Sequence, residues 1–190
     1  PMVASYNPIY TQSEYCSSCH QHQNEHGMPF MDTYREWEAS VYNEAGIECQ
    51  TCHMKPDVGH GEGTFVNGDA EKFWTPVESR DKSTVKRHDF LGGAEEMVRN
   101  AATLSIEAVA DTSRLMVKVA VKNVSAGHHL PSGITIRNML LLVTAVTSNG
   151  DILTYTGTER VPEYGGVGPV EEGNFAGFPG RGFALVFGDD

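Results

Sequence analysis

CSSCHQHQNEH, residues 16–26, places two cysteines three positions apart, a histidine directly after the second, and two more histidines close behind. The pattern returns as CQTCH at residues 49–53. All four cysteines of the 190-residue chain lie in these two pairs, so none is left to bridge to the second half. A disulfide framework scatters its cysteines along a chain. The clustering calls for a different chemistry.

Working outward, the chain is unevenly built. Residues 1–95 hold nine Val, Ile and Leu, against 24 in residues 96–190. The first half nonetheless carries six of the eight histidines and every cysteine. Nine aliphatic residues do not make an ordinary core, and small domains short of a core need a staple. Something apolar other than amino acids is expected to fill this half. The net charge of −11 repels phosphate backbones, which argues against a nucleic-acid partner. No apolar run approaches the length of a membrane span. The opening PMVASYNPIYTQSEY has no basic n-region and no apolar h-region, so the leader of an exported protein would lie outside this chain. The stop at Asp190, directly after an expected strand, reads as that of a fragment or of a chain missing its tail.

C-x-x-C-H has a mechanical reading. A c-type haem is joined through its two vinyl groups, and cysteines separated by two residues reach both from one turn of chain. The next residue then presents its imidazole to the iron. The rival is zinc, since two C-x-x-C pairs can form a four-thiolate site. Histidine makes up 8 of 190 residues. One directly after both pairs by accident has a chance of about 0.2%, and only haem attachment requires it there. The span between the pairs, residues 20–48, also exceeds the usual zinc-ribbon loop of about 15–20 residues. A thioredoxin-like redox motif would need a surrounding βαβ pattern, which is absent. Two haem c groups are therefore expected, held by Cys16 and Cys19 and by Cys49 and Cys52, with His20 and His53 as proximal iron ligands. The sixth iron position decides between electron carrier and enzyme. His22, His26, His60, His88, His128 and His129 are the histidine candidates for it, and Met28, Met31 and Met54 the thioether candidates.

The first half otherwise reads as loops and short helices. DTYREWEASVYNEAG, residues 32–46, predicts a helix, with Asp32 as N-cap and Gly46 as stop. Its Tyr34, Trp37 and Val41 recur at helical spacing. Residues 54–90 carry turn formers and little periodicity. GAEEMVRNAA, residues 93–102, predicts a short helix. The second half reads as strands. TLSIEAVA (103–110) and the alternating LMVKVAVKNV (115–124) predict a hairpin across DTSR. IRNMLLLVTAV (136–146) predicts a more fully buried strand. SNGD (148–151) supplies a two-residue turn into ILTYT, then comes a long glycine-rich loop, and FALVFG (183–188) predicts a last strand. The expected fold is α+β. A haem-packed, mostly loop and short-helix region covers residues 1–97, and an immunoglobulin-like antiparallel β-sandwich covers residues 98–190.

In order, CSSCH, TYREWEAS, GIECQTCHM, RHDFLGG and NVSAGHHLPSG resemble the multihaem c-type cytochromes that end in a β-sandwich, over about residues 8–150. The resemblance implies bis-histidine haems, with His128 of GHHLPSG and His88 of RHDFLGG as the distal ligands. Where many members carry a histidine before the second motif, this chain has Tyr42, so no larger haem array is expected from this chain alone. His129 is expected in solvent or on a propionate. Trp37 and Tyr34 are expected as core rather than as porphyrin stacking partners. Arg35, Lys86 and Arg87 are expected as solvated charges rather than propionate partners.

The expected function is electron transfer by a dihaem cytochrome. The alternatives are a subunit of an extracellular polymerised cytochrome filament and a haem-bearing fragment of a multihaem oxidoreductase. Covalent haem attachment takes place outside the cytoplasm, so a periplasmic or extracellular site is expected. The expected partners are redox proteins or other haem-bearing subunits, a second copy of the chain among them.

Overall fold

The computed structural model describes residues 7–54, 88 and 95–185. Contact clustering divides the chain into two compact units. One is Pro1–Ser18 with Trp37–Gly127, and the other is Cys19–Glu36 with His128–Asp190. Helices and antiparallel strands are both present. The helices are α1 (Glu14–His20), α2 (Thr33–Glu38), α3 (Val41–Glu44), α4 (Cys49–His53) and α5 (Glu95–Ala101). The strands are β1 (His22–Gln23), β2 (Pro29–Met31), β3 (Ala102–Ala110), β4 (Leu115–Asn123), β5 (Asn138–Leu142) and β6 (Gly180–Ala184). They pair as three antiparallel two-stranded sheets, β1 with β2, β3 with β4 and β5 with β6. The described strands thus form separate small sheets rather than a closed sandwich.

The expected helix over 32–46 is broken into α2 and α3. Ser40 is the reason. Its hydroxyl donates to the Trp37 carbonyl at 2.7 Å and accepts from the Tyr42 amide at 3.2 Å, so it ends one helix and caps the next. Serine offers the backbone this alternative to continued helix. The stop falls at Gly46, where φ is +68°. The Ile47 amide reaches back to the Tyr42 carbonyl at 2.8 Å and the Gly46 amide to the Asn43 carbonyl at 2.9 Å, a Schellman closure. Gly46→Ala should therefore cost about 1 kcal/mol, read as a lowered urea midpoint at unchanged slope. Trp37 is buried, and its indole N–H donates to the Ile47 carbonyl at 2.9 Å, which ties α2 to the loop before α4.

The β3–β4 hairpin follows the alternation in its sequence. Leu104 faces Val121, Ile106 faces Val119, Ala108 faces Val117 and Ala110 faces Leu115. Thr103 and Lys122, and Glu107 and Lys118, pair on the opposite side. The turn is fastened by Asp111, whose carboxylate accepts the amides of Ser113 and Arg114 at 2.7 Å each. Those bonds favour the ionised form and hold the Asp111 pKa below its usual value. The apolar side stays open to solvent, with Leu104 56% and Ile106 62% exposed.

In the second unit, β5 is shorter and less buried than the sequence suggests. Asn138–Leu142 pairs with β6, and Met139 to Leu141 are half-buried. The SNGD turn also differs. The Thr147 amide bonds the Asp151 carbonyl at 2.8 Å, and the Gly150 amide bonds the Thr147 carbonyl at 3.0 Å. Three residues, not two, are thus enclosed, with Gly150 at φ +90°. A two-residue type I′ turn needs positive φ at both central positions. No non-glycine among the described residues adopts it, Asn149 included. The expected strand ILTYT is reduced to one bridge, Val146 with Ile152. Of the expected last strand, residues 186–188 lie outside the described residues. So do residues 55–87 and the opening two residues of the expected helix at 93–102.

Candidate functional site

Each C-x-x-C-H motif lies on a helix. Cys16, Cys19 and His20 are in α1, and Cys49, Cys52 and His53 make up most of α4. Positions i, i+3 and i+4 share one helix face, so both thiols and the imidazole of each motif point to the same side. Cys19 is exposed, Cys16, Cys49 and Cys52 are half-buried, and none is in a disulfide. His20 and His53 are half-buried.

The two helices are joined at their starts by residues the sequence reading overlooked. Ser13, 1% exposed, sits just before α1 and Glu48 just before α4. The Ser13 amide donates to Glu48 Oε2 at 2.6 Å, and the Cys49 amide donates to Ser13 Oγ at 2.8 Å. The Ser13 carbonyl meanwhile accepts the Cys16 amide at 2.8 Å. One serine thus binds the backbone of the first cysteine in both motifs. Gln50 adds to the join, its amide donating to the carbonyls of Gln12 at 2.7 Å and Tyr10 at 3.2 Å. A serine three residues before C-x-x-C and an acid immediately before the second one were cap-type signals. Their pairing across 35 positions was not readable from either.

A hydrogen bond from the Cys16 side chain is the largest influence on the ionisation of Cys49. That bond, with those from Ser13 and the Cys49 backbone, outweighs burial and the Glu48 charge and lowers the Cys49 thiol from 9.0 to about 7. Because the folded value is the lower one, ionisation of Cys49 adds stability as pH rises from about 7 towards 9, and the contribution is absent below 7. Alkylation of Cys49 in the reduced chain should accordingly rise with a midpoint near pH 7, moving towards pH 9 in denaturant. A native midpoint equal to that in denaturant would contradict this.

His128 and its loop belong to the second unit. His128 is half-buried, and its Nδ1 lies 2.9 Å from the His129 carbonyl. A carbonyl only accepts, so Nδ1 carries the proton and Nε2 the lone pair, the tautomer a metal ligand needs. The loop is moored to α2 by Glu36, whose side chain is 9% exposed. Glu36 Oε2 accepts the His129 amide at 3.0 Å and the Ser132 hydroxyl at 2.6 Å. Thr33 Oγ1 lies 2.8 Å from Ser132 Oγ. The His129 ring is exposed, with Nδ1 3.5 Å from Glu36 Oε1. Glu36, Thr33 and Ser132 are positioning residues that no spacing rule pointed to.

His88 is exposed, while the adjoining Lys86, Arg87 and most of RHDFLGG lie outside the described residues, as does His60. His22 stacks on Phe30 with ring centres 5.8 Å apart, and both are exposed. His26 lies in solvent, 3.7 Å from the Glu25 carboxylate. Arg35 pairs with Asp32 at 3.5 Å. Among the described residues no three His, Cys, Asp or Glu side chains converge as a metal site. No described helix is long and apolar enough to cross a membrane. No known protein family, curated protein or solved structure matches the chain.

Proposed function

We propose that the chain is a dihaem c-type cytochrome that transfers electrons outside the cytoplasm. The observation that carries this is the joining of the two C-x-x-C-H helices through Ser13 and Glu48, with the amides of Cys16 and Cys49 both bound to Ser13. The donor set fits haem. Each helix offers two thiols outside any disulfide and an imidazole on one face. When bound, haem iron supplies one-electron chemistry. The chain supplies thioether anchors at Cys16, Cys19, Cys49 and Cys52 and proximal imidazoles at His20 and His53. His128 and His88 are the distal ligands in this reading. The shared Ser13 between Cys16 and Cys49 supports attachment points that exchange electrons directly.

Two further observations favour the reading. Among the described residues only Trp37, Ala101 and Val161 are buried hydrophobic side chains. Such a small apolar interior among the described residues is in keeping with a covalently held porphyrin as part of the core. His20 and His128 fall in one compact unit and His53 and His88 in the other, which favours pairing within units. In this reading residues 98–190 make an immunoglobulin-like sandwich, to which β3–β4 contributes one antiparallel hairpin.

Intact mass and low-temperature electron paramagnetic resonance test the proposal on protein exported by a host able to attach haem c. The expected result is the polypeptide plus two haems, with low-spin signals only. A bare-polypeptide mass would refute it. A high-spin signal, with a Soret shift when carbon monoxide meets the reduced protein, would replace the carrier with an enzyme bearing an open iron.

A further inference from the structure

We infer that the haem-free chain forms a disulfide between its two motifs, Cys16 to Cys49, rather than within either one. The geometry comes from Ser13. Its carbonyl holds the Cys16 amide and its hydroxyl the Cys49 amide, both at 2.8 Å, while Glu48 holds the Ser13 amide at 2.6 Å. These bonds lie at a nearly solvent-free point, since Ser13 is 1% exposed. The backbones of Cys16 and Cys49 are thus held on the same serine, and both residues are half-buried, whereas Cys19 is exposed. Bridging Cys16 to Cys49 also closes a much longer loop than a C-x-x-C ring, which removes more freedom from the unfolded chain.

The chemistry is thiol–disulfide exchange with an oxidant that carries its own disulfide, such as an oxidising protein or glutathione disulfide. Cys49 thiolate attacks one oxidant sulfur, the oxidant S–S bond breaks, and one oxidant thiol leaves. Cys16 then attacks Cys49 Sγ in the mixed disulfide and expels the second oxidant thiol. Two electrons and two protons pass from the two cysteines to the oxidant disulfide. The lowered ionisation of Cys49 makes it the attacking partner near neutral pH.

If the motifs are haem-attachment sites, on which this consequence rests, a single bond withdraws one anchor from each. Oxidation would then stop both attachments together, and reduction would reopen both.

The test uses the full 190-residue chain made without haem, reduced and then equilibrated with glutathione and glutathione disulfide. Trypsin cuts after Arg35, between the motifs, so mapping without reductant separates the alternatives. The expected product is a cross-linked peptide pair joined at Cys16 and Cys49. Ser13→Ala should slow its formation about fivefold. The Cys19→Ala/Cys52→Ala variant should form the bond as the parent does. Disulfides confined to residues 16–19 and 49–52, or thiols that remain reduced, would overturn the inference. The haem reading fails separately. An exported sample with the bare-polypeptide mass would end that reading and leave the cross-link standing. Two haems on the exported protein with no cross-link in the haem-free chain would sink the disulfide alone.

Discussion

If the chain is the dihaem cytochrome proposed above, Cys49→Ala combined with Cys52→Ala should leave a protein that carries one haem instead of two. Both thioethers of the second motif are then impossible, and His53 alone cannot hold a porphyrin against dissociation. The haem-to-protein ratio and the Soret absorbance per chain should each fall by about half, and the intact mass should drop by one haem beyond the lost sulfurs. The effect should reach beyond stoichiometry. Among its described hydrophobic side chains the first unit buries only Trp37 and Ala101, so loss of that haem should also lower its stability. The change should also separate the two motifs chemically. The Cys49 amide keeps its bond to Ser13, because that bond is made by backbone, so loss of haem cannot be ascribed to a broken clamp. An unchanged haem count would refute thioether attachment at the second motif.

Glu36→Ala should release the GHHLPSG loop from α2. Its carboxylate accepts the His129 amide and the Ser132 hydroxyl, and the GHHLPSG loop is fixed to α2 through these bonds. Charge-assisted bonds are each worth about 1.5–3 kcal/mol when kept from water. The His129 ring is 80% exposed, so water recovers part of that loss, and about 2 kcal/mol is expected overall. Glu36→Gln keeps one acceptor oxygen and should cost about half as much. The two variants should be ranked by urea unfolding. A spectroscopic readout separates loop positioning from plain destabilisation. If His128 is a distal ligand, Glu36→Ala should raise the high-spin fraction of one haem while the other stays low-spin. Equal stability of parent and Glu36→Ala would show that the carboxylate does not hold the loop.

The sequence by itself determined whatever rests on local spacing. Cysteines and histidine at i, i+3 and i+4 fixed which side chains share a helix face. Strict alternation fixed the β3–β4 hairpin, and Gly46 marked a helix end through the positive φ that only glycine takes cheaply. Tertiary structure decided the rest. The split at Ser40 depended on a hydroxyl choosing the Trp37 carbonyl over solvent, and the SNGD turn took three residues because Asn149 kept a negative φ. The strongest organising contacts run between distant positions, Ser13 with Glu48 and Glu36 with His129 and Ser132. Periodicity reports how a segment meets its own neighbours. It carries no record of which far segment supplies the partner for a buried serine or carboxylate, since that choice is made only when the chain closes its loops.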